Sequence, residues 1–215
     1  MDRLGQTVFT IEVIQEALAK PLPGVEAQKR MAPQPVTGKK NRWDIPEDCR
    51  QASVLLLLYP YSCDQPDFYL ALTRRPEYPG AHSGQISLPG GRREEPESLL
   101  ETALRETAEE IGVLPETVAI VGQLSPLYTP PSNFCIHPFI GFSRTRPLFQ
   151  INPREVAELI EVPLDLFLRP EVYKEEIWRL QNFGERQVPF FDVFGHKVWG
   201  ATAMILSEFL VLLAQ

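Results

Sequence analysis

The hydrophobic positions of the chain follow a strand-like pattern over much of its length. Residues 53–59, SVLLLLY, form a continuous apolar run that predicts a buried strand. Residues 68–74, FYLALTR, predict its antiparallel neighbour, which is reached through the turn-prone residues 63–66. A short strand is predicted over residues 85–88. Later strands are predicted over residues 118–124, 136–142, 156–162, 176–180 and 188–194.

Helical spacing marks three other segments. The helix predicted over residues 97–111 follows the turn Pro89-Gly90-Gly91. Pro96 suits the first turn of this helix, and Gly112 suits its C-terminal cap. Two more helices are predicted, one over residues 9–18 and one from near Gly200 to the C-terminus.

The order of these elements predicts an α/β fold in which helices cover a mixed β-sheet. A chain of 215 residues can bury one substantial core. Residues 21–35 are rich in proline and glycine and are predicted to be irregular. We therefore divide the chain into an N-terminal extension with a short helix, residues 1–45, and one main domain, residues 46–215.

The charge balance narrows the range of partners. Lysine and arginine number 21 against 28 aspartate and glutamate residues, which gives a net charge of −7. No extended basic surface for nucleic acid is expected from this composition. An acidic protein that handles phosphates needs a metal ion to do so, and we expect a small-molecule substrate.

The cysteines and the apolar segments indicate the cellular compartment of the protein. Cys49, Cys63 and Cys135 are odd in number and far apart in sequence, which predicts reduced thiols in a cytoplasmic protein. The apolar stretch over residues 201–214 contains Ser207 and Glu208 and is shorter than the roughly 18 residues of a membrane span. We expect it to be a buried helix, with no membrane association.

Acidic residues concentrate on one face of the helix predicted over residues 97–111. Glu106, Glu109 and Glu110 fall within an arc of roughly 100°. Such runs are often only a solvated helix face. Carboxylates this close also repel one another, and a hard divalent cation such as Mg²⁺ or Mn²⁺ would offset that repulsion.

The spacing around these glutamates resembles the signature of the Nudix hydrolase family. Gly91 is followed after five residues by Glu97 and after seven more by Arg105-Glu106; Glu109-Glu110 and Gly112-Val113 then complete the pattern. Thr107 stands where the signature has an apolar residue, which puts local packing in doubt. The resemblance implies a Nudix-like α/β/α sandwich and a metal-dependent hydrolase of nucleoside diphosphate compounds.

The resemblance also implies roles for the matching residues. Glu106, Glu109 and Glu110 would bind Mg²⁺ or Mn²⁺, with the backbone carbonyl of Gly91 as a further ligand. Arg105 and Glu97 would form an ion pair that fixes the loop against the helix. The catalytic set is then Glu106, Glu109 and Arg105. Glu109 is our candidate for the base, and three later glutamates remain open for this role: Glu155, Glu158 and Glu161.

Two flanking segments resemble the coenzyme A diphosphatase branch of the family. Residues 72–75, Gly84 and residues 88–91 match its upstream motif in part, with Gly80 where that motif has arginine and Leu88 where it has phenylalanine. Residues 198–203 resemble a segment near the end of that branch. The implied reaction is hydrolysis of coenzyme A or acyl-coenzyme A, with a homodimer expected from the family.

Arg75 and His82 are the predicted substrate-binding residues. A guanidinium can hold phosphate oxygens in bidentate fashion, and His82 lies between Arg75 and the glycine turn. Two alternatives stay open at this point. One is a Nudix hydrolase of another substrate, such as ADP-ribose or a dinucleotide, and the other is a non-catalytic Nudix binding module.

Overall fold

A computed structural model describes residues 9–37, 43–62, 65–78, 83–180 and 183–215 of the chain. It contains these helices: α1 (Ile11–Leu18), α2 (Gly24–Gln28), α3 (Leu99–Ile111) and α4 (Gly200–Leu213). The strands are β1 (Gln34–Pro35), β2 (Arg50–Ser62), β3 (Gln65–Arg74), β4 (Ile86–Ser87), β5 (Gly90–Arg92), β6 (Ala119–Gln123), β7 (Leu127–Thr129), β8 (Phe134–Phe142), β9 (Glu158–Pro163), β10 (Tyr173–Leu180), β11 (Gly184–Val193) and β12 (His196–Trp199).

The strands form a larger mixed sheet and a smaller antiparallel one. The path through the larger sheet is β4-β3-β2-β8-β6; β5 pairs with β2, β7 with β8 and β9 with β3. Strand β2 runs antiparallel to β3 and parallel to β8. The predicted α/β fold with a mixed sheet is therefore confirmed. The smaller sheet, β1-β11-β10 with β12 on β11, was not predicted as a separate unit.

The larger sheet is covered on both faces, which explains the continuous apolar run of β2. Leu55, Leu57 and Tyr59 pack on one side in a cluster with Ala103 and Ile111 of α3. Leu56 and Leu58 point to the other side, into the core that also holds buried side chains of α1 and α4. Because successive strand residues face opposite layers, a strand between two layers has no polar face.

The N-terminal segment packs against the C-terminal helix, which is buried as predicted. The carboxylate of Glu208 on α4 is fully buried and accepts hydrogen bonds from Gly24 N at 3.1 Å and from Gln28 Nε2 at 2.8 Å. It also accepts from Ser125 N at 3.2 Å. These bonds tie α2 to the body of the protein. The prediction that residues 21–35 are irregular is therefore wrong for α2, because a distant carboxylate holds this segment.

Two of the cysteines are paired, contrary to the prediction of reduced thiols. Cys49 and Cys135 form a disulfide with a Cα–Cα distance of 5.7 Å across a sequence separation of 86 residues. The parallel register of β2 and β8 places Gln51 opposite Cys135, so the start of both strands lies at one edge of the sheet. Separation in sequence concealed this proximity. Cys63 lies outside the described residues.

Among the described residues, no helix combines the length and the apolar character needed to cross a bilayer.

Candidate metal centre and its cleft

Helix α3 carries the predicted acidic residues, and its ends are fixed by local contacts. Ser98 caps the N-terminus: its side chain accepts from Glu101 N at 3.2 Å, and the Glu101 carboxylate accepts from Ser98 N at 2.7 Å. The helix therefore begins at Leu99, two residues after the predicted start, and Pro96 precedes it. Gly112 ends the helix with a φ of 73°, as predicted, because a left-handed residue is easiest for glycine.

Thr107, the one departure from the family signature, is accommodated within the helix. Its side chain is buried, and its hydroxyl donates to the carbonyl oxygen of Ala103 at 2.7 Å. Burial of a hydroxyl that has a hydrogen-bond partner costs little free energy of folding. The packing problem expected at this position therefore does not arise.

Arg105 joins the glycine loop to α3 through a dense set of hydrogen bonds. Its Nε donates to Glu97 Oε2 at 2.9 Å and its Nη2 donates to Glu97 Oε1 at 2.8 Å, which is a bidentate pair. Nη2 also donates to the carbonyl oxygen of Arg92 at 3.2 Å. The hydrogen bonds from Arg105 lower the pKa of Glu97 to about 2. The carboxylate of Glu97 is thus fully charged at neutral pH.

Arg105 also contacts the acidic face of the helix. Its Nη1 lies 3.0 Å from Glu106 Oε1 and 3.0 Å from Glu109 Oε2. One guanidinium therefore orients both carboxylates while it stays anchored to Glu97.

Three carboxylates converge at the centre of this region. Oxygens of Glu106, Glu110 and Glu155 lie within 4.8 Å of one another. Glu110 is 3% exposed, and burial raises its pKa to about 8, against the opposing effects of the Arg75 charge and the Gly90 N–H. Burial also raises the pKa of Glu106, against the charge of Arg105. Burial thus disfavours the charged form of both carboxylates, and the charges of Arg75 and Arg105 offset this effect only in part.

The diglycine turn is packed directly against these carboxylates. Gly90 N donates to Glu110 Oε2 at 3.2 Å, and Gly90 has a φ of 150°, which L side chains rarely adopt. A Cβ atom at Gly91 would overlap the carboxylate of Glu106, with its Oε2 at 2.6 Å. Only glycine permits this close approach of backbone and carboxylate. The backbone of this turn therefore lies next to the cluster, as a carbonyl ligand from Gly91 would require.

The chemistry of the cluster fits a divalent cation. Hard ions such as Mg²⁺ and Mn²⁺ prefer carboxylate, carbonyl and water oxygens. Three carboxylates whose oxygens lie within 4.8 Å of one another, two of them with raised pKa values, are the arrangement that a bound cation would stabilise. The residues present therefore fit the implied metal.

Glu155 is the member of the cluster that the signature does not contain. It follows a turn in which its backbone N–H donates to the Asn152 carbonyl at 3.0 Å, and the Asn152 side-chain amide donates to Glu155 Oε1 at 2.9 Å. From the sequence, Glu155 was only one of three open candidates for the base. A glutamate shortly after Asn152-Pro153, before a predicted strand, was the available signal.

The other predicted residues lie at different distances from this cluster. Glu109 is half exposed at 50%, bonds Arg105, and is not among the three converging carboxylates. Glu158 is paired with Arg74 at 2.8 Å. Glu161 pairs with Arg146 at 2.5 Å and accepts from the Tyr59 hydroxyl at 3.1 Å. His82 lies outside the described residues.

A large cleft connects the cluster to the rest of the molecule. Its cavity volume is about 1380 Å³. Glu106, Glu110, Glu155, Arg75 and Gly91 line it together. Arg75, the predicted phosphate contact, is thus in the same cleft as the acidic cluster, and its charge acts on Glu110.

A carboxylate cluster with one buried member, a tight glycine turn and a large cleft define a class of protein: one with an enzyme-type site suited to a divalent cation and an anionic small molecule. Comparisons with known proteins identify the family. A family model described as NUDIX domain matches residues 50–181. A protein named uncharacterized Nudix hydrolase NudL from Pectobacterium atrosepticum is 38% identical over 162 residues, covering 74% of this chain and 80% of that protein. Its namesake from Photorhabdus laumondii is 34% identical over 167 residues, covering 76% and 85%.

The chain belongs to the Nudix hydrolase family, whose members are enzymes that act on phosphorus-containing anhydrides. Nudix hydrolases generally use divalent metal ions such as Mg²⁺ or Mn²⁺ and bind nucleotide-derived small molecules. Among solved structures, a Nudix hydrolase from M. smegmatis, RenU, aligns with a TM-score of 0.48 at 21% identity, over 60% of this chain and 83% of that one.

Proposed function

We propose that the protein hydrolyses the diphosphate linkage of coenzyme A or acyl-coenzyme A. The products are 3′,5′-ADP and 4′-phosphopantetheine or its acyl derivative. The observation that carries the proposal is the convergence of Glu106, Glu110 and Glu155 beside the Gly90-Gly91 turn in a large cleft. Divalent ions bound there would neutralise diphosphate oxygens and lower the pKa of the attacking water.

The choice of coenzyme A is supported by where the two flanking segments lie. Arg75 and residues 88, 90 and 91 of the upstream motif line the cleft. So do residues 199–202 of the C-terminal segment. Segments more than 100 positions apart thus border the same cavity as the acidic cluster. Gly80, which departs from the motif, lies outside the described residues.

Each residue of the site has a distinct role in this proposal. Glu106, Glu110 and Glu155 hold the metal with the Gly91 carbonyl, and Glu109 supplies a further ligand or the base that accepts the proton of water. Arg75 binds a phosphate oxygen of the substrate. Arg105 positions Glu106 and Glu109, because one guanidinium contacts both carboxylates.

A cytoplasmic location, a homodimer and a separate N-terminal extension over residues 1–45 stay predictions. The net charge of −7 supports a protein without a nucleic-acid partner. The Cys49–Cys135 disulfide removes the reduced thiols on which the cytoplasmic prediction was based.

Product analysis by mass tests the substrate proposal. Purified protein with Mg²⁺ or Mn²⁺ is offered coenzyme A, octanoyl-coenzyme A, ADP-ribose and a dinucleotide in parallel. We expect 3′,5′-ADP from both coenzyme A compounds in the wild type and none with Glu110→Gln. Preferred turnover of ADP-ribose or the dinucleotide would show another Nudix substrate, and turnover of no compound would favour a binding module.

A further inference from the structure

One side of the cleft has an aliphatic floor that leads away from the glycine turn. Ala52 on β2 is paired with Arg92 on β5 and with Ile136 on β8, and Ile136 is paired with Leu127 on β7. Ala52, Ile136 and Leu127 therefore form a row across three adjacent strands, and all three line the cleft. Neighbouring strands lie about 4.8 Å apart, so the row extends roughly 14 Å from β5 to β7 along the cleft floor.

The walls beside this floor come from the ends of the chain. Val25 of α2 and Ile45 line the cleft, as do Met204 and Ile205 of α4. None of these four residues belongs to the segment that matches the NUDIX family model, residues 50–181. The buried carboxylate of Glu208 on α4 accepts hydrogen bonds from Gly24 and Gln28 of α2 and so joins the two helices. We call the floor row and these four wall residues the aliphatic gutter.

The composition of the gutter selects the chemistry of what lies in it. The cleft lining also includes the rings of Trp43, Tyr128, Phe183 and Trp199, but the seven gutter side chains are aliphatic or thioether groups, which offer apolar contact and no hydrogen bonds. The adjacent ring of Phe134 is covered on one face by the Arg50 guanidinium, 3.9 Å from its centroid. A nucleotide base needs ring stacking and partners for its polar edge, whereas an alkyl chain needs only apolar surface.

We propose that the aliphatic gutter is a specificity-determining subsite that takes an alkyl chain carried by the substrate, so that acylated coenzyme A is preferred to the free thiol. This inference rests on the proposed function for the identity of the substrate. Continuity supports it, because one cleft contains both the gutter and the carboxylate cluster. Val25 is 37% exposed and Ile45 is 49% exposed, so a bound chain would remove apolar surface from water.

A chain-length series tests the subsite. We measure kcat/KM for coenzyme A and its butanoyl, hexanoyl and octanoyl thioesters. Each methylene that becomes buried should raise kcat/KM by up to about fourfold until the gutter is filled. A kcat/KM that is equal for all four compounds, or that falls with chain length, would overturn the proposal.

Val25→Asp, with Val13→Asp as its matched control, assigns the effect to the gutter. Both valines are exposed and lie in the first turn of an N-terminal helix, where an acidic residue is tolerated, but Val13 does not line the cleft. We expect Val25→Asp to lower the ratio of octanoyl to free coenzyme A kcat/KM at least tenfold and Val13→Asp to leave it unchanged. Equal ratios in the two variants would contradict the assignment. Ile45→Asp, in a loop, replaces Val25→Asp if that variant does not fold.

Binding of octanoyl-pantetheine separates this inference from the proposed function. The compound has no diphosphate, so its affinity, measured by calorimetry, does not depend on hydrolysis. If coenzyme A is not cleaved but octanoyl-pantetheine binds the wild type and not Val25→Asp, the proposed function fails and the gutter stands. If coenzyme A is cleaved and octanoyl-pantetheine binds neither protein, the gutter fails alone.

Discussion

The two acidic regions beside helix α3 differ in how their charge is compensated. Glu97 accepts hydrogen bonds from Nε and Nη2 of Arg105, and its pKa is lowered to about 2. Glu110 is more deeply buried, and its pKa is raised to about 8. The first region is complete within the chain, whereas in our proposal the second is stabilised by a bound divalent cation. The difference separates a supporting ion pair from a site for a ligand.

The largest loss of activity is expected from Glu110→Gln, which removes one carboxylate from the cluster of Glu106, Glu110 and Glu155. Because the variant loses one ligand of the proposed metal, we expect kcat/KM for coenzyme A to fall by about 10³-fold. The exposed Glu116→Gln is the control, with an expected change below about twofold. Wild-type activity in Glu110→Gln would remove the distinction between the two regions.

The next effect is expected from Gly91→Ala, which tests the contact between turn and cluster. The added Cβ would overlap the Glu106 carboxylate and displace it or the turn. A displacement near 1 Å at a catalytic group costs about 10²-fold in rate, and we expect a loss of that size in kcat/KM. An unchanged kcat/KM together with an unchanged Mn²⁺ affinity would show that the close approach is unimportant.

A smaller loss of activity is expected from Arg105→Lys, which alters the supporting ion pair of Arg105 with Glu97. Lysine keeps the charge but cannot make the bidentate contact with Glu97 and also reach Glu106 and Glu109. We expect kcat to fall by about 10-fold to 100-fold, as for other residues that orient metal ligands. Arg144→Lys, at an exposed position, serves as the control. A loss as large as that of Glu110→Gln would mean that Arg105 has a direct catalytic role.

The smallest effect concerns acid stability. A lowered folded-state pKa stabilises the fold above the ordinary value of 4.5, and that stability is lost as pH falls towards about 2. After allowance for solvent screening, we expect Glu97→Gln to lower the free energy of unfolding by about 1 kcal/mol at pH 7. The difference from wild type should vanish near pH 2, as measured by denaturant unfolding. A difference that grows as pH falls would reverse the sign of this assignment.

Sequence reasoning reached the parts of the site that lie on one helix. The face with Glu106 and Glu110, the ion pair of Glu97 with Arg105 and the cap at Gly112 follow from helical spacing and from a local signature. The Cys49–Cys135 disulfide required the register of β2 with β8, and the approach of Glu155 to Glu106 and Glu110 required the tertiary fold. Glu109 lies on the same helix face as Glu106 and Glu110, but its side chain points in a different direction and bonds Arg105.

The small second sheet and α2 were beyond sequence reasoning for a similar reason. Strand β1 has two residues, and α2 has five, so neither carries a pattern long enough to detect. Both depend on partners far along the chain: β11 pairs with β1, and Glu208 binds α2. Long-range contacts, which no local pattern encodes, decide these elements.

Mn²⁺ binding to Glu155→Gln tests the central claim most directly, since Glu155 joins the cluster only through the fold. Free Mn²⁺ is followed by electron paramagnetic resonance during titration of the wild type, Glu155→Gln and the control Glu116→Gln. If Glu106, Glu110 and Glu155 hold one cation together, Glu155→Gln should weaken Mn²⁺ binding at least about tenfold, and the control should match the wild type. Wild-type affinity in Glu155→Gln would contradict a three-carboxylate centre.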